Sequence, residues 1–514
     1  MTPTKLVAMS GFRGTPMRKL AGMFMVGALA LTAVACGSED AAAPTTAGEQ
    51  ATVATAAGSS ETSAETAASV IQSAPPVTEQ PSDPTDATAP SDDGNVINVP
   101  DDQPTIQGAV DVAAPGDLIL IQPGTYNEAV TVETNDLTIR GLDRNTVVLD
   151  GQFELDNGIR VVGANGVAIE NMTARNYTRN GFFWTGVTGY RGSYLTAFRN
   201  GDYGVYAFLS YSGQIDHSYG AGSPDAGFYI GGCFPCDAVI SDVVSEYNGL
   251  GYSGTNSGGD LYIVNSVFRF NRAGIVPNSG SYELCYPERA TTIVGNTVYS
   301  NNQDDTPAID VALLAMGNGI LSAGGVNNVI ERNLVFDHDK TGIGLVPFLE
   351  EDANDDQPSP DTWNQPCADT VDDPLPDPAD VPAAVLWDSH DNSVEGNVLE
   401  NNRAADIAVD SAGTDISTLG NCFSDNTFTT SAPTDLETLA PCSGTGSGDW
   451  TVGSLNVAAW LGETHPPSAD YQTSSPEPPK QDNMPDAATA PANPANNGPM
   501  KVDILTITVP SKPA

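Results

Sequence analysis

A glycine followed by an apolar residue recurs at a nearly constant interval through the middle of the chain. The steps are 23, 23, 24, 23, 45 and 23 residues, between Gly181, Gly204, Gly227, Gly251, Gly274, Gly319 and Gly342. The residues that follow these glycines are Phe182, Val205, Phe228, Tyr252, Ile275, Ile320 and Ile343. A period in the low twenties, built from short β-type segments without helix-length periodicity, is typical of a solenoid. The step of 45 equals one repeat of 23 residues plus an insertion of 22.

Short apolar strands precede the glycines, and asparagines punctuate the turns between them. The strands begin at Ile169, Ile215, Ile240, Ile263, Ile293 and Ile330. Stacked asparagines, such as those at 248, 271, 296, 301, 333 and 397, can hydrogen-bond along a column of turns. The pattern predicts an all-β, single-stranded parallel β-helix. Leucine-rich repeats would need a leucine framework that is missing here, and a propeller would need longer repeats.

The beginning of the repeat region carries a helix signal and a family resemblance. Thr105 to Ala113 has the pattern of a short amphipathic helix that caps the open end of a solenoid. The stretch IQGAVDVAAPGDLILIQPGTYNEAVTVETNDLTIRGL resembles the opening of pectin-lyase-like right-handed β-helix proteins, and the resemblance covers about Asn95 to Phe428. It implies the right-handed coil. It does not imply one activity, because the family includes lyases, epimerases, hydrolases, esterases and noncatalytic members.

Residues 1–36 have the order of a lipoprotein signal peptide. Arg18 and Lys19 precede the apolar run Ala21 to Val34, which ends in a lipobox-like Ala-Val-Ala-Cys. Cys36 is therefore the predicted lipidation site, and we expect an exported protein held at the extracytoplasmic face of the cell membrane. Cleavage without lipid is the alternative, and Met17 is an alternative start.

Two regions outside the repeats contain too little apolar surface to predict a core. Residues 37–94 are almost entirely Ala, Thr, Ser, Glu, Pro, Asp and Gly, which predicts a disordered linker. Residues 464–514 are Pro-rich and are also predicted to be mostly disordered, with one edge strand possible over Val502 to Val509. The β-helix is assigned to 95–463, with insertions near 278–290, 303–316 and 349–386.

The charge balance limits the possible partners. The chain has 20 Lys and Arg against 65 Asp and Glu, a formal net charge of -45. Such a field disfavours nucleic acid and anionic lipid, and an acidic substrate would need a bridging cation or a local basic patch. With only four His, a metal site is expected to use oxygen ligands. Few His and Met in the repeats disfavour a metal-delivery role, and we expect a monomer.

Six cysteines follow Cys36, and an even number in an exported protein favours disulfides. Cys422 and Cys442 are the pair predicted from proximity. The spacing Cys233-Phe-Pro-Cys236 also suits a metal or redox site, although no second pair completes a zinc site. The pairing of the others, which include Cys285 and Cys367, stays open at this stage.

Strand alternation places the second residue after each repeat glycine on the outer surface. Phe183, Tyr206 and Tyr229 should therefore form an exposed aromatic column on rungs ~4.8 Å apart. Two residues before the glycines stand Arg179, Asp202, Asp225 and Arg272. Aromatic faces beside charged groups suit sugar binding. Neighbouring Asp202 and Asp225 would either raise one pKa, which suits proton transfer, or share a Ca²⁺. The alternative is that the rings pack beneath loops and the acids are solvated turn residues.

Two further groups are candidates for catalysis. Asp216 and His217 lie in a segment that resembles the Trp-Ile-Asp-His segment of pectate lyases, but the Trp and the arginine motif of that family are missing, so both could be turn residues. The loop Asn278 to Arg289 concentrates Tyr282, Glu283 and Arg289. Arg289, Arg272 or Tyr282 is a candidate base for β-elimination, and the alternative is a disulfide-tied cover. His338 is interpreted as a turn histidine.

These features predict a protein that binds polysaccharide on the flank of its β-helix and, if it is an enzyme, acts as a uronate lyase or epimerase. A noncatalytic surface scaffold or adhesive module is the alternative.

Overall fold

The chain coils into a right-handed parallel β-helix with three faces. A computed structural model describes residues 94–351, 353 and 384–513. The predicted signal peptide with Cys36, nearly all of the linker, Cys367 and most of the 349–386 insertion lie outside the described residues. Within the described ranges, no helix is long and apolar enough to cross a bilayer.

The strands fall into three columns, one for each face. The first face contains β1 (Val96–Val99), β2 (Leu118–Ile121), β5 (Thr138–Gly141), β8 (Val167–Arg175), β10 (Thr188–Phe198), β12 (Tyr211–Asp216), β15 (Ala238–Ser241), β18 (Gly258–Val264), β21 (Arg289–Val294), β24 (Val329–Glu331), β29 (Ser393–Glu395) and β32 (Cys422–Ser424). The second face contains the later parts of β8 and β10 together with β3 (Gly124–Tyr126), β6 (Val147–Asp150), β13 (Tyr219–Ala221), β16 (Val244–Glu246), β19 (Val267–Arg269), β22 (Thr297–Tyr299), β25 (Leu334–Phe336) and β30 (Val398–Glu400).

The third face is a sheet of 11 strands. It contains β4 (Val130–Val132), β7 (Ile159–Val162), β9 (Phe182–Thr185), β11 (Val205–Phe208), β14 (Ala226–Gly231), β17 (Leu250–Thr255), β20 (Ala273–Asn278), β23 (Ile320–Ala323), β26 (Thr341–Val346), β31 (Ala405–Val409) and β33 (Ser431–Ala432). Outside the coil, β27 (Phe348–Glu351) and β28 (Ala384–Trp387) form an antiparallel hairpin.

Close approach between coils explains the recurring glycine. A Cβ atom built on Gly181 would lie 2.7 Å from the carbonyl oxygen of Gly204, and one on Gly274 would lie 2.4 Å from that of Gly319. Since no side chain fits in this space, each coil must place a glycine where it contacts the next. The residue after each glycine then points inward, and Phe182, Phe228 and Ile275 are fully buried.

Short helices cap and interrupt the coil. The predicted capping helix is α1 (Ile106–Val112), and the side chain of Thr105 accepts a hydrogen bond from the Gly108 N–H at its start. Its buried side chains Ile106, Ala109 and Val110 close the first coil. The other helices are α2 (Asp310–Ala315), inside the predicted 303–316 insertion, α3 (Leu436–Leu439), α4 (Val457–Leu461) and the 3-10 helices Ile416–Thr418 and Ile504–Thr506.

Asparagine ladders line two of the turns. In one ladder Asn296, Asn333, Asn397 and Asn426 are linked by amide hydrogen bonds of 3.0 Å. In the other, His338 occupies a position that asparagine holds on neighbouring coils. Its Nε2 lies 3.2 Å from Asn301 Nδ2, and its Nδ1 lies 2.8 Å from Asn402 Oδ1. Burial lowers the pKa of His338 to about 4, with the bond to Asn402 opposing the shift. This histidine is therefore a structural turn residue.

Disulfides join Cys233 to Cys236 and Cys422 to Cys442. Cys285 is also disulfide-bonded. The two cysteines of the Cys-Phe-Pro-Cys segment therefore form a disulfide with each other and not a metal site. Both Cys233 and Cys236 are fully buried in the core.

The C-terminal segment, residues 464–513, differs from the disordered tail that the sequence predicts. It has almost no regular secondary structure, and no strand forms over Val502 to Val509, yet it lies along the coil for most of its length. It runs from the middle of the β-helix toward the N-terminal coils and then reverses. On the way back Ile507 packs against Val239, Val264 and Val294, which are apolar side chains on the outside of the first face.

Arginines of the β-helix hold this segment by its backbone. Arg272 donates to the carbonyls of Pro466 and Pro467 at 2.8 Å, and Arg140 donates to those of Ala490 and Pro491 at 2.6 and 2.9 Å. Further bonds join Arg144 to Asp482, Arg191 to Asn493, Arg199 to Ser475, Arg332 to Ile504 and Lys512 to Glu400. Composition alone misses this arrangement because the interaction uses carbonyl groups, which every residue has.

We expect His338 to make the protein less stable in acid. The unfolded imidazole binds a proton near pH 6.5, whereas the folded one resists protonation until about pH 4, so stability falls as pH drops through this window. His338→Asn should retain the ladder and remove this component, which is at most about 1.4 kcal/mol per pH unit. Urea unfolding of both proteins at pH 7 and pH 4.5 measures the difference. Equal pH dependence of the two would contradict the assignment.

We expect Arg140→Met to lower the free energy of unfolding by roughly 3 kcal/mol. Arg140 is fully buried and pairs with Glu170 at 2.7 Å, so its loss removes a partner from a buried carboxylate and from two carbonyls of the C-terminal segment. Arg403→Met is the matched control, since Arg403 is 79% exposed and its pair with Asp339 is 3.7 Å long. Chemical denaturation should show little change for this control. Equal effects of the two substitutions would overturn the role of Arg140.

Candidate functional site

The aromatic residues of the third face are neighbours on consecutive coils. Parallel pairing aligns Phe183 with Tyr206 and Tyr206 with Tyr229. The ring centroids of the first pair are 4.7 Å apart and stacked, and those of the second are 4.8 Å apart and edge-on. Phe183 and Tyr206 are half-buried. Tyr229 is only 1% exposed, so the predicted exposed column of three rings is wrong at this position.

Two further residues extend this cluster and were missed from the sequence. Tyr203 lies in the turn before β11, and its ring stacks on Tyr206 at 4.2 Å. Arg160 aligns with Phe183 on the preceding coil, and its Nε is buried without a hydrogen-bond partner. One more step of 23 residues back from Gly181 reaches Gly158, so the repeat could have indicated Arg160. Tyr203 precedes its glycine directly and has no such signal.

Asp202 and Asp225 occupy adjacent turns beside these rings. The Asp225 N–H donates to the Asp202 carbonyl at 3.1 Å, and the Asp202 carboxylate lies 3.5 Å from the Arg179 guanidinium. Burial raises the pKa of Asp202, and the charge of Arg179 opposes the shift. Burial raises the pKa of Asp225 to about 7. A hydrogen bond from Tyr203 opposes this shift, and the charge of Asp202 adds to it. Asp225 keeps some solvent contact although protein atoms surround its carboxyl group.

The loop between β20 and β21 brings a third carboxylate to the cluster. The Tyr229 hydroxyl donates to Glu283 Oε2 at 2.5 Å. Burial raises the pKa of Glu283 to about 8, with the bond from Tyr229 opposing and the charge of Asp225 adding to the shift. The loop therefore covers Tyr229, as its interpretation as a cover predicts, and it also places the carboxyl group of Glu283 beside the rings.

Buried contacts fix this loop in place. The Ser281 N–H donates to both carboxylate oxygens of Glu350 at 3.0 and 2.9 Å, and the Ser281 hydroxyl donates to the same side chain at 2.7 Å. The Asn278 side chain donates to the Tyr282 hydroxyl at 2.9 Å. Burial raises the pKa of Tyr282 above its ordinary value, so this phenol stays protonated at neutral pH and does not suit the role of base.

Near neutral pH the cluster therefore holds two carboxyl groups that each exist in both protonation states, Asp225 and Glu283. The phenols of Tyr203, Tyr206 and Tyr229 have pKa values raised by burial, so they remain hydrogen-bond donors. A proton acceptor and a proton donor with pKa values near the working pH are what general acid–base catalysis requires. Perturbed carboxyl groups of this kind concentrate at functional sites.

Arg272 does not join this cluster. Although it stands in the same repeat position as Asp202 and Asp225, its side chain is fully buried beneath the C-terminal segment and donates to the carbonyls of Thr306 and Asp304. Its role as a base is wrong, because its guanidinium is buried and donates to four backbone carbonyls.

Asp216, His217 and Arg289 belong to the first face. Asp216 is buried, accepts a hydrogen bond from Ser193 at 2.5 Å and lies 2.8 Å from His217. The His217 ring stacks on Tyr194 at 4.6 Å. Arg289 begins β21 with its guanidinium 3.8 Å from the centroid of Phe234. The Asp-His pair therefore lies away from the carboxylates of the third face.

The geometry does not favour a preformed Ca²⁺ site at Asp202 and Asp225. Arg179 lies 3.5 Å from the Asp202 carboxylate and repels a cation there, and Asp225 accepts a bond from Tyr203. Within the described part of the chain, a group of three candidate ligand atoms within 4.8 Å of one another occurs at Glu395, Cys422 and Cys442, where both cysteines are in a disulfide.

Comparison with known proteins adds a fold likeness. No family model and no curated protein matches the chain. The A-module of the Azotobacter vinelandii mannuronan C-5 epimerase AlgE4 has a TM-score of 0.40 at 15% identity, covering 63% of this chain and 90% of that one. An alginate lyase from Paenibacillus sp. str. FPU-7 has 0.33 at 14%, covering 65% and 99%, and pectate lyase Pel9A has 0.36 at 12%, covering 74% and 84%. At such identities the likeness extends no further than the fold.

Proposed function

We propose that the third face binds a polysaccharide along the cluster formed by Phe183, Tyr203, Tyr206, Asp225 and Glu283. Rings on successive coils, ~4.8 Å apart, offer apolar surface to several units of one sugar chain. The carboxyl groups beside the rings can accept hydrogen bonds from sugar hydroxyls. The half-buried state of Phe183, Tyr203 and Tyr206 supports this proposal, since part of each ring is in contact with solvent.

We further propose that the sugar is a uronate. The chain as a whole repels anions, but Arg160 and Arg179 lie at the end of the cluster where Phe183 stands. Arg160 is half-buried, its Nε has no hydrogen-bond partner, and the accessible part of its guanidinium would pair with a substrate carboxylate. Two guanidinium groups in this position form the local basic patch that an acidic sugar needs.

The reaction proposed is removal of the proton on the carbon next to the sugar carboxylate. Between their two pKa values Asp225 is ionised and acts as base, while Glu283 is protonated and acts as acid. In a lyase the C–O bond to the next sugar breaks and Glu283 protonates the leaving oxygen. In an epimerase Glu283 returns a proton to the opposite face of the same carbon. Arg179, two coils from Asp225, and Arg160, three coils away, bind the carboxylates of neighbouring sugar units and keep the chain in register on this face.

The observation that carries this proposal is the pair of carboxyl groups with pKa values near neutrality beside solvent-accessible rings. A noncatalytic binding module is the second candidate, and the burial of Tyr229 under its loop favours it, because less ring surface is available to a reacting sugar. The names of the proteins with a similar fold state epimerase or lyase activities on polysaccharides. The sugar class proposed for this chain is argued from its own residues.

We expect turnover of polymannuronate, polyguluronate or polygalacturonate to be maximal between about pH 7 and 8 and to fall on both sides. Below this window Asp225 is protonated, and above it Glu283 loses its proton. Because the two carboxyl groups interact, the two pKa values read from the pH profile describe the pair and not one residue each. Asp225→Asn and Glu283→Gln should each lower kcat at least about 100-fold. Unsaturated ends measured by absorbance report a lyase, and proton-resonance changes without cleavage report an epimerase.

Tyr206→Ala should weaken binding of the polyuronate substrate. Asp216→Asn, on the first face, should leave turnover of that substrate unchanged. Each assay is run with and without Ca²⁺, so that a bridging cation would appear as a dependence of binding on the ion. Binding without turnover at any pH would establish the noncatalytic module and remove the proposed acid–base pair.

We also propose that the protein is exported and lipid-anchored through Cys36. The charged and apolar order of residues 18–34 supports this, as do the disulfides, which persist in oxidising compartments. The wild-type protein should incorporate labelled fatty acid, and Cys36→Ser should incorporate none. Equal labelling of the two, or an unlabelled wild type, would contradict lipidation at this residue.

A further inference from the structure

A separate cavity of about 430 Å³ lies where the third face turns toward the first face, between the β27–β28 hairpin and the turn at residues 388–391. Its walls include Trp387, Asp388, His390, Asp391 and Thr418. On successive coils Tyr229 aligns with Ser253 and Ser253 with Val276, and the next strand of this face is β23. Gly324, the residue that follows β23, borders the cavity. It is therefore three coils, or ~14 Å, from Tyr229. The cavity is distinct from the site described above.

One wall of the cavity is apolar and held in place. The Trp387 indole N–H donates to Glu350 at 2.8 Å, and the Trp387 ring lies 5.5 Å from that of Tyr286. Leu386, Val326 and Leu419 continue the same apolar lining. A fixed indole with part of its surface exposed offers a flat apolar surface without further loss of conformational freedom.

The rest of the lining carries hydrogen-bonding groups. The Asp388 carboxylate accepts bonds from the hydroxyls of Ser411, at 2.6 Å, and Thr414. His390 Nδ1 lies 2.8 Å from Asp391 Oδ2. Neither Lys nor Arg lines the cavity, and the two carboxylates give it negative character. An anionic sugar would be repelled here, whereas hydroxyl groups could donate to these oxygens.

We propose that this cavity is a second sugar site and that it binds one or two units of a neutral saccharide. The volume falls within the range of small-ligand sites, and an apolar wall facing a few polar groups is their usual composition. The ligand would place the apolar face of a sugar ring against Trp387 and its hydroxyls toward Asp388, Asp391 and His390. The full protein would thereby recognise acidic and neutral sugars at two places along one β-helix.

The test is titration of the full chain with neutral cellotriose, mannotriose and galactotriose, and with trigalacturonate as the anionic comparison. Trp fluorescence and calorimetry serve as the two readouts. We expect at least one neutral trisaccharide to bind, and trigalacturonate not to bind at this cavity. Thr418→Phe, which places a ring in the cavity, and Asp391→Ala should each weaken neutral binding at least tenfold, while thermal unfolding shows that both variants are folded.

Crossed controls separate the two sites. Tyr206→Ala should leave neutral trisaccharide binding unchanged, and Thr418→Phe should leave polyuronate binding unchanged, so failure of one proposal does not imply failure of the other. Three outcomes would overturn the second site: no neutral trisaccharide binds, the two cavity variants bind it as the wild type does, or Tyr206→Ala abolishes its binding.

Discussion

In-register stacking of one coil on the next is the constraint on which the whole structure depends. Backbone hydrogen bonds between coils fix each residue above its counterpart about one repeat earlier. The glycines permit this, because the carbonyl oxygen of the following repeat glycine lies where a Cβ atom would be. Once the register is set, side chains at equivalent repeat positions form columns, so residues spaced by one repeat in the sequence become neighbours in the structure. The aromatic cluster, the asparagine ladders and the turn carboxylates all follow from this one condition.

Columns also explain the electrostatics of the candidate site. Three tyrosine rings, those of residues 203, 206 and 229, exclude water from the carboxyl group of Asp225. Because loss of hydration disfavours the ionised carboxylate, the pKa of Asp225 rises. Glu283 enters the same surroundings from the loop and gains a phenol as hydrogen-bond donor. A protein with a formal net charge of -45 has many acids. Among those of the described residues, burial raises the pKa to about 7 or 8 at Asp225, Glu283 and Glu288, and Glu288 is fully buried. The local environment, and not the number of acids, makes these two candidates for proton transfer.

The sequence predicts features that repeat and misses features that depend on distant segments. The coil, the capping helix over Ile106–Val112, the pairing of Cys422 with Cys442 and the alignment of Phe183, Tyr206 and Tyr229 all follow from local spacing. The burial of Tyr229 could not be predicted in this way, since a loop more than fifty residues later covers it. Arg272 shares its repeat position with Asp202 and Asp225, yet residues 466 and 467 determine where its side chain points. Periodicity fixes a position on the coil but does not identify which segment packs over it.

The C-terminal segment changes the cooperativity expected of a solenoid. When each coil contacts only its neighbours, the ends can fray separately from the centre. Here one strip of chain bonds to coils from Arg140 near the beginning to Glu400 near the end, so that loss of one coil disturbs attachments on many others. Some of these attachments, such as that of Arg140 to Pro491, join residues more than 300 positions apart, which slows folding because distant parts of the chain must meet. A β-helix that one strip fastens along most of its length should therefore unfold as a single unit.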